Sequence, residues 1–370
     1  MKVVHMIDSE GMYGAEYVLY NLLPCLRNIG IDAMLACLSP IASAGADLGR
    51  ALEKKSVPVV YLDERKKISP KGLLSIYRTL KSNRADILHV HGYKATILGG
   101  MAARIAGVPI LSTYHAEAGK YPELSTYVRI ETPFLKMTNR VITVSNIIKD
   151  ELIRRGIPEK TITVIHNGIG DPTRRLMSEF SPDVKSETPL RILCIGRLIP
   201  VKRFDLTIRA ISVLRREFPD VHLTIAGAGP LQAELKSLAK DLGLGSSVSL
   251  PGYVSDTGEL FRKSDIFALP SETEGSPITL IEAMAHSKPI VASAVGAIPE
   301  MVSGNAGTLL IAPSNLDQLV RALRRFISDP AYRRESGRLA RKRFESSFSV
   351  ETMAARYGEQ YEVCMRGAGI

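Results

Sequence analysis

Short runs of apolar, mostly β-branched residues alternate with helical patterns along the 370-residue chain. The runs show no regular apolar–polar alternation, so we expect both faces of each strand to be buried. Buried strands that alternate with helices are typical of parallel sheets covered on both faces. The sequence therefore predicts an α/β fold built on parallel sheets.

The predicted strands form two groups, separated by a stretch without a clear period. The first group covers residues 2–7, 31–37, 59–62, 87–90, 110–113, 141–144 and 163–165. The second group covers residues 190–195, 222–226, 248–250, 266–269, 289–293 and 308–311. Residues 170–189 lie between them and contain three prolines, as expected of a linker. We predict two doubly wound, Rossmann-like domains facing across a cleft, over residues 1–175 and 190–348, joined by a linker over 176–189.

The chain carries 48 basic and 38 acidic side chains, a formal net charge of +10. This excess predicts an anionic partner, and composition leaves the choice open between nucleic acid, a lipid surface and a phosphorylated small molecule. The chain has no tryptophan and only 6% aromatic residues, which argues against stacking platforms for single-stranded nucleic acid. We therefore expect no nucleic-acid partner.

No segment approaches the roughly 20 apolar residues that a membrane-spanning helix needs. The N-terminal sequence reaches Asp8 too early for the core of a signal peptide. The four cysteines, Cys25, Cys37, Cys194 and Cys364, lie far apart and match neither a zinc site nor a disulfide framework. They are predicted to be small buried apolar residues. We expect a cytoplasmic protein without a membrane span.

The sequence DIFALPSETEGSPITLIEAM predicts a strand, a polar loop and a helix. Ser276 is the predicted N-cap of the helix and Pro277 its first residue, so the free amides there form an anion site. Glu274 precedes the helix and Glu282 lies eight residues further on. Two carboxylates that flank an anion site suit a nucleotide sugar, with ribose on one side and hexose on the other. An ordinary N-terminal carboxylate and a solvated glutamate explain the spacing equally well.

Two cations follow the predicted strand 190–195. Gly196 and Arg197 come directly after it, and Lys202 lies further along the same loop. Cations at the carboxyl end of a strand can hold a diphosphate and offset the charge of a leaving group, although solvated loop charges are common.

Two further loops follow strands in the second half. TIAGAGP, with Gly227 and Gly229, resembles part of a dinucleotide fingerprint, but the third glycine and the ribose-binding acid are missing, which makes an NAD site a weak alternative. In LPGYVSD, the backbone at Val254 is a candidate for reading a base edge.

The first half offers a glycine loop and three histidines near strand ends. Gly14 precedes a helix predicted from about residue 15, whose amides could meet a phosphate or an acceptor. His115 is the best functional candidate, because its strand leads into an irregular segment over 116–122. His89 is expected to be a buried strand residue, and no third ligand is evident beside His89 and His91, so we predict no metal site. In VIHNGI, a tight turn is predicted at Asn167 and the following glycine.

Together, these motifs resemble the retaining glycosyltransferases of family 4, also called group 1, which have the two-domain GT-B architecture. The resemblance extends over nearly the whole chain and rests on the ordered set EGSPITLIEAMAHSKPIVAS, IGRLIPVKRFDLTIRA, IAGAGP, VIHNGI, VSN and the glycine loop. Residues 349–370 resemble the terminal helix of the family, which crosses back to the first domain. The loop GMYGAE departs from the commoner double glycine before Ala-Glu.

The resemblance implies a role for each matching residue. Arg197 and Lys202 grip the donor diphosphate, Glu282 binds the ribose hydroxyls, and Glu274 contacts the transferred sugar. His115 lines the reaction centre. The remaining donor-binding residues implied are Gly14, Gly196, Val254, Gly275, Ser276, Pro277 and Ile278. The resemblance also implies that no cofactor or metal is needed, and that retention proceeds by front-face attack, with the donor phosphate taking the acceptor proton.

We therefore predict a retaining, metal-independent hexosyltransferase. It takes a nucleoside diphosphate sugar, UDP-linked in our expectation, and a saccharide or lipid-linked acceptor, in the biosynthesis of a cell-surface polysaccharide or glycolipid. A nucleotide-sugar epimerase of the same architecture is the alternative, and it would convert the donor without an acceptor. An NAD-dependent dehydrogenase and a catalytically silent sugar-binding module are further alternatives.

Most of the charge excess lies outside the predicted donor motifs. Residues 53–84 hold nine basic and three acidic side chains, and residues 321–343 hold nine and two. The part of the first segment from Arg65 to Arg84 interleaves apolar residues and could dock on an anionic membrane, as a peripheral protein on the inner face. A solvated helix face explains the same pattern.

Overall fold

The computed structural model describes residues 1–9, 11–12, 14–62, 69–115, 125–173, 190–304 and 306–367. The chain divides into two compact units, which we call unit 1 (Met1–Gly170 with Phe348–Ile370) and unit 2 (Asp171–Ser347). Unit 1 is therefore built from two separate stretches of sequence. The predicted linker, 176–189, lies outside the described residues.

Seven strands form the sheet of unit 1: β1 (Lys2–Ile7), β2 (Asp32–Cys37), β3 (Val59–Tyr61), β4 (Ile87–His91), β5 (Ile110–Tyr114), β6 (Arg140–Thr143) and β7 (Ile162–Val164). Their order is β3-β2-β1-β4-β5-β6-β7, and every neighbouring pair is parallel. The helices of this unit are α1 (Gly14–Asn28), α2 (Asp47–Glu53), α3 (Pro70–Ser82), α4 (Tyr93–Ala106), α5 (Ser125–Lys136), α6 (Asn146–Arg154) and, at the end of the chain, α14 (Val350–Gly367).

The two faces of the unit 1 sheet differ in chemistry. Leu88 and Val90 of β4 belong to an apolar core that also contains buried residues of α3 and α4. Successive strand residues point to opposite faces. His89 and His91 therefore lie on the other face, where His89 contacts Tyr361 of α14.

The end of the first stretch of unit 1 pairs with the start of the second. Ile169 forms a parallel bridge with Ser349, and Val350 donates its N–H to the carbonyl of Ile169 at 2.9 Å. A Cβ on Gly168 would lie 2.6 Å from the Ser349 carbonyl oxygen. The tight turn predicted at Asn167 and Gly168 is wrong, because neither residue lies in a turn, and the glycine instead serves the close approach of the second stretch.

Six strands form the sheet of unit 2: β8 (Arg191–Ile195), β9 (His222–Ala226), β10 (Val248–Gly252), β11 (Ile266–Leu269), β12 (Ile290–Ser293) and β13 (Thr308–Ile311). Their order is β10-β9-β8-β11-β12-β13, again parallel throughout. The helices are α7 (Phe204–Leu214), α8 (Gln232–Asp241), α9 (Gly258–Lys263), α10 (Ile278–Ala285), α11 (Ile298–Met301), α12 (Leu316–Ser328) and α13 (Pro330–Ser347). The prediction of two parallel-sheet α/β units is confirmed.

The core of unit 2 lies between its sheet and helices α7, α8 and α12. Helices α10 and α13 pack together and against β12. All four cysteines of the chain are buried free thiols, as predicted. Within the described residues, no helix is both long enough and apolar enough to cross a membrane.

Candidate functional site

The strand order of unit 2 reverses direction between β8 and β11, because β9 and β10 lie on one side of this pair and β12 and β13 on the other. Open parallel sheets bind ligands at such a switch point, beyond the carboxyl ends of the strands. The loops that leave β8 and β11 carry Gly196, Arg197, Lys202 and Glu274. The topology thus brings two predicted motifs to one edge of the sheet.

Lys202 and Glu274 meet at this edge. The Nζ of Lys202 donates to Oε1 of Glu274 at 2.6 Å, and the hydroxyl of Ser271 donates to the same oxygen at 2.6 Å. The side chains of Lys202 and Glu274 are only 17% and 8% exposed. An ion pair this buried places a cation and a carboxylate side by side, where a phosphate and a sugar hydroxyl could each take one partner.

The two loops are also clamped together beside this pair. Glu272 donates its N–H to the Val201 carbonyl at 2.8 Å, and Arg203 Nη1 donates to Glu272 Oε1 at 2.6 Å. Ser314 donates to the same carboxylate at 2.7 Å, and the bonds from Ser314 and Arg203 lower the pKa of Glu272. We did not predict these residues from the sequence. Arg203 directly follows Lys202, and Glu272 lies two residues before Glu274, so both were adjacent to a predicted site residue.

Arg197 is not part of the Lys202–Glu274 pair. Its side chain is exposed, and no hydrogen bond or ion pair joins this side chain to a described residue, whereas its carbonyl accepts from the N–H of Ile199 at 2.9 Å. It lies at the mouth of the site as a cation that a ligand could engage. The neighbouring Gly196 is packed closely, since a Cβ there would lie 3.3 Å from the Phe204 ring.

The glycines of TIAGAGP serve close packing of backbone. A Cβ on Gly227 would lie 1.8 Å from the Gly196 carbonyl oxygen, and one on Gly229 would lie 2.5 Å from that of Leu198. Leu198 also donates its N–H to the Ala228 carbonyl at 2.9 Å. The motif therefore holds the loop after β9 against the loop after β8. This packing accounts for both glycines without a dinucleotide.

The helix after β11 begins one residue later than predicted. Ile278 is the first residue of α10, and Pro277, in an extended conformation, is its N-cap. The prediction of Ser276 as N-cap is wrong, because its hydroxyl contacts the Met301 sulfur at 4.0 Å instead of an amide of the helix. The Gly275 carbonyl accepts from the N–H of Ala297 at 3.3 Å, which fixes the loop just before the helix.

Glu282 lies in the second turn of α10 and has a different partner from Glu274. The hydroxyl of Thr257 donates to its Oε1 at 3.0 Å. Burial raises the pKa of Glu282 to about 7, against the opposing effect of this hydrogen bond. Thr257 follows β10, as does the half-buried Val254, so the bond connects the predicted base-reading loop to the helix. Thr257 was not predicted as a site residue. It does lie in a loop that follows a strand, where an open parallel sheet is expected to bind its ligand.

Gly14 and His115 belong to unit 1. Gly14 is the first residue of α1, and a Cβ there would meet no described atom within 4 Å. His115 directly follows β5, and its Nε2 lies 3.1 Å from Nδ1 of His91. Burial lowers the pKa of His115 to about 4.

The expectation that His89 and His91 lack a third partner is wrong. His5 pairs with His89 in the register of β1 and β4, and ligand atoms of His5, His89 and His91 all lie within 4.8 Å of one another. This spacing could serve a metal. Each of the six ring nitrogens, however, already has a hydrogen-bond partner in the chain.

Two family models match the chain, one described as "Glycosyl transferases group 1" over residues 178–343 and one as "Glycosyltransferase Family 4" over residues 12–171. A glycogen synthase of Mycobacterium tuberculosis is 32% identical over 301 residues, which cover 78% of this chain and 71% of that protein. The chain belongs to the group 1 glycosyltransferases of family 4.

Other similarities of this glycosyltransferase extend over most of its length. The UDP-Gal:alpha-D-GlcNAc-diphosphoundecaprenol alpha-1,3-galactosyltransferase of Escherichia coli is 30% identical over 351 residues, 89% of this chain and 88% of that protein. The crystal structure of Anabaena Alr3699/HepE in complex with UDP matches with a TM-score of 0.82 at 21% identity, over 98% of this chain and 100% of that one. The glycosyltransferase therefore has the predicted GT-B fold.

Proposed function

We propose that this glycosyltransferase moves a hexose from a UDP-linked donor to a saccharide or lipid-linked acceptor, with retention of anomeric configuration and without a metal ion. The donor proposal draws on the E. coli relative, whose name specifies UDP-Gal, and on the Anabaena structure, which contains UDP. The epimerase alternative draws no support from the relatives, whose names describe transfer or synthesis.

The observation that carries the proposal is the buried Lys202–Glu274 pair at the switch point of unit 2. When a donor binds, the diphosphate competes for Lys202, and a hydroxyl of the transferred sugar takes its place on Glu274. Arg197 adds a second cation from the exposed part of the loop. As the glycosidic bond breaks, the growing charge of the departing UDP is stabilised by these fixed cations, which is electrostatic catalysis.

Glu282 and the loop after β10 are proposed to hold the nucleoside. The Glu282 carboxylate accepts hydrogen bonds from the ribose hydroxyls, and the backbone near Val254 contacts the base. Thr257 keeps the carboxylate oriented, because its hydroxyl already donates to Oε1 at 3.0 Å. In unit 1, His115 is the proposed contact of the transferred sugar.

The proposal of retention by front-face attack rests on the family resemblance and on the state of Glu274. An enzyme that forms a covalent glycosyl intermediate uses a carboxylate as its nucleophile. Oε1 of Glu274 instead accepts from Ser271, and from Lys202 until the proposed sugar hydroxyl takes its place, so hydrogen bonds reduce its nucleophilicity before and after the donor binds. The proposal therefore gives Glu274 a binding role and lets the donor phosphate take the acceptor proton. Because Lys202 and Arg197 supply the positive charge, chelation of divalent metal should leave the rate unchanged.

The test is transfer from a panel of UDP-sugars to saccharide and polyprenyl-linked acceptors, with the Lys202→Met variant. We expect kcat/KM to fall by about 10²–10³ in this variant, the usual effect of removing one transition-state donor. Arg209→Met, which removes an exposed cation from α7, is the matched control and should act like wild type. Full activity of Lys202→Met would refute the assigned role. Conversion of the donor without any acceptor would favour the epimerase.

We further propose that the protein works at the cytoplasmic face of a membrane, where a lipid-linked acceptor would be found. The free, buried cysteines fit a reducing compartment. Exposed Lys71, Arg78 and Arg84 lie on or beside α3, and Leu74 between them is 44% exposed. The rest of the predicted basic segment, residues 65–68, lies outside the described residues. Basic side chains near an exposed apolar residue suit an anionic bilayer surface.

Reversing Lys66, Lys67 and Lys71 to glutamate tests the membrane proposal. Binding to vesicles that contain anionic lipid should weaken, because basic residues near such a surface contribute about 1 kcal/mol each. Reversing Arg321, Arg334 and Lys342, three exposed cations of unit 2, removes the same charge elsewhere and should leave binding nearly intact. Equal loss in both triple variants would point to net charge alone, and unchanged binding of the first would refute docking.

A further inference from the structure

One face of the unit 1 sheet is polar where a buried sheet is normally apolar. His5, His89 and Thr113 lie on neighbouring strands there, and Tyr357 and Tyr361 of α14 cover them. These five side chains and His91 are at most 1% exposed. Burying a polar group without a partner is costly, so such a cluster is stable only if its members satisfy one another.

The cluster forms one continuous chain of hydrogen bonds that ends at His115. From the inner end, the hydroxyl of Tyr357 lies 3.1 Å from that of Thr113, which lies 2.7 Å from Nε2 of His89. Nδ1 of His89 lies 2.8 Å from the Tyr361 hydroxyl, which lies 3.3 Å from Nε2 of His5.

The outer half of the chain consists of histidines alone. Nδ1 of His5 lies 3.2 Å from Nε2 of His91, whose Nδ1 lies 3.1 Å from Nε2 of His115. The chain therefore connects α14 to His115 through six hydrogen bonds.

Burial keeps the imidazoles neutral near pH 7. It lowers the pKa of His5 to about 3 and that of His115 to about 4, and it lowers those of His89 and His91 as well. A neutral imidazole has one N–H donor and one acceptor nitrogen. A hydroxyl of Thr113 or Tyr361 that accepted from both of its neighbours would leave its own buried proton without an acceptor among the described residues. If each of these hydroxyls instead donates within the chain, the direction of one bond fixes that of every other, which leaves two fully neutral arrangements with opposite directions.

The inner end decides between the two arrangements. In the first arrangement His115 donates to His91, and every later bond points the same way until Thr113 donates to the Tyr357 hydroxyl. The proton of that hydroxyl then needs a further acceptor. No described residue other than Thr113 bonds to this buried hydroxyl. If Tyr357 donates instead, every hydroxyl proton of the chain has an acceptor, and the one N–H without a partner in the chain belongs to the half-buried His115. Since an unsatisfied buried donor is costly, the direction from Tyr357 to His115 is favoured.

We propose that this buried chain fixes His115 in the tautomer with its proton on Nδ1. Nε2 accepts from His91, so the nitrogen outside the chain is a hydrogen-bond donor. Tyr361, His5 and His91 are then positioning residues, because they act through His115. This role in sugar binding rests on the proposed function: the Nδ1–H of His115 donates to an oxygen of the transferred sugar. A sugar hydroxyl or ring oxygen can accept it.

The test is the ¹⁵N spectrum of the 370-residue chain labelled at its seven histidines, recorded near pH 7 without ligand. The two-bond ¹H–¹⁵N pattern of an imidazole distinguishes the tautomers, and a His115→Gln variant assigns the signals. We expect His115, His91 and His5 to be neutral with the proton on Nδ1. A proton on Nε2 of His115 would overturn the proposal, as would stoichiometric zinc in the purified protein, since a metal on these nitrogens would replace the chain.

Tyr361→Phe cuts the chain between His89 and His5, and Tyr77→Phe removes a hydroxyl on the opposite side of the same sheet as a control. The Tyr361 variant should show both tautomers of His115, and its kcat should fall about fivefold or more with little change in the KM of the donor, as expected when a transition-state contact is lost. A single unchanged tautomer in this variant would contradict the coupling. If Tyr361→Phe fails to fold, the wild-type spectrum still decides the tautomer. Because the spectrum needs no activity, it also separates failure of the chain from failure of the proposed transfer reaction.

Discussion

Glu282 allows the energetic effect of a buried carboxylate in this site to be measured directly. It lies on α10, accepts a hydrogen bond from Thr257, and has its pKa raised by burial from an ordinary value of 4.5 to about 7. The folded protein therefore binds the Glu282 proton more tightly than the unfolded chain does. Above pH 4.5 this lowers the free energy of unfolding, and the loss is complete once the pH passes about 7.

The size of the effect follows from the two pKa values. At about 1.4 kcal/mol per pH unit, the cost of keeping Glu282 buried grows by about 2.5 kcal/mol between pH 5 and pH 8. Glu282→Gln keeps the shape and the acceptor for Thr257 but cannot ionise. Its free energy of unfolding, relative to wild type, should therefore rise by about this amount over the same range.

Urea unfolding of both proteins at pH 5 and pH 8, followed by circular dichroism, measures this difference. All other titrating groups are common to the two proteins and cancel. If the gap between them is the same at both pH values, burial does not raise the pKa of Glu282 and the reasoning fails.

Donor binding provides an independent readout of the same group. If the carboxylate accepts from the ribose hydroxyls, only its ionised form binds well. The ionised fraction rises about tenfold between pH 6 and pH 8, so the affinity for UDP should rise by about the same factor in wild type. Calorimetry with Glu282→Gln corrects for titration of UDP itself, because that contribution is common to both proteins. An equal pH dependence in wild type and variant would remove Glu282 from the nucleoside site.

Two further substitutions test the packing and the electrostatics of unit 2. Gly227→Ala should lower the free energy of unfolding by about 2–3 kcal/mol, because its φ is +147° and its Cβ would lie 1.8 Å from the Gly196 carbonyl oxygen. Gly245→Ala, where a Cβ meets nothing within 4 Å, should change stability by less than about 1 kcal/mol, and equal effects in urea unfolding would contradict the packing. For Asp171, burial alone would raise the pKa, but hydrogen bonds from Arg341 and Thr173 lower it to about 2. Asp171→Asn should therefore lower the free energy of unfolding by about 2 kcal/mol at pH 6, and this loss should shrink as the pH falls from 4 towards 2. A loss that does not depend on pH would show that the carboxylate charge is not what stabilises this contact.

The elements of this fold were largely predictable because buried parallel strands leave a strong signal. The predicted strands 2–7 and 308–311 coincide with β1 and β13. Two helices of unit 1 leave a weaker signal in the sequence. Helix α2 is only seven residues long, and α5 carries Pro133 in its interior. Proline in a helix normally signals its end, so the pattern argued against the element that forms.

The donor-side residues were predictable individually, whereas their partnerships were not. Lys202, Glu274 and Glu282 were predicted as site residues because they lie in the loop or the helix that follows a strand. Which of the two glutamates pairs with the lysine depends on side-chain reach across two loops. The loop after β11 places Glu274 on Lys202, while Glu282 turns to Thr257. No spacing in the sequence distinguishes these outcomes.

The histidine chain shows the same limit over a longer separation. His89 and His91 were visible as a pair, but their partners come from positions far away in sequence, His5 near the start and Tyr361 near the end. The register of β1 with β4 could have suggested His5, because both strands end two residues after the matching histidine. Tyr361 could not be found this way, since helix packing onto a sheet has no register that the sequence fixes.

The pairing of Ile169 with Ser349 has a consequence for the order in which the molecule can be assembled. It makes unit 2 an insertion within unit 1, entered and left at one point. During synthesis, helix α14 leaves the ribosome only after all of unit 2 has emerged. Domains tend to fold as they emerge, so unit 2 can complete its core while the sheet of unit 1 still lacks a cover. Until α14 brings Tyr357 and Tyr361 onto the sheet, the histidines that it will bury stay exposed to water and can take up protons.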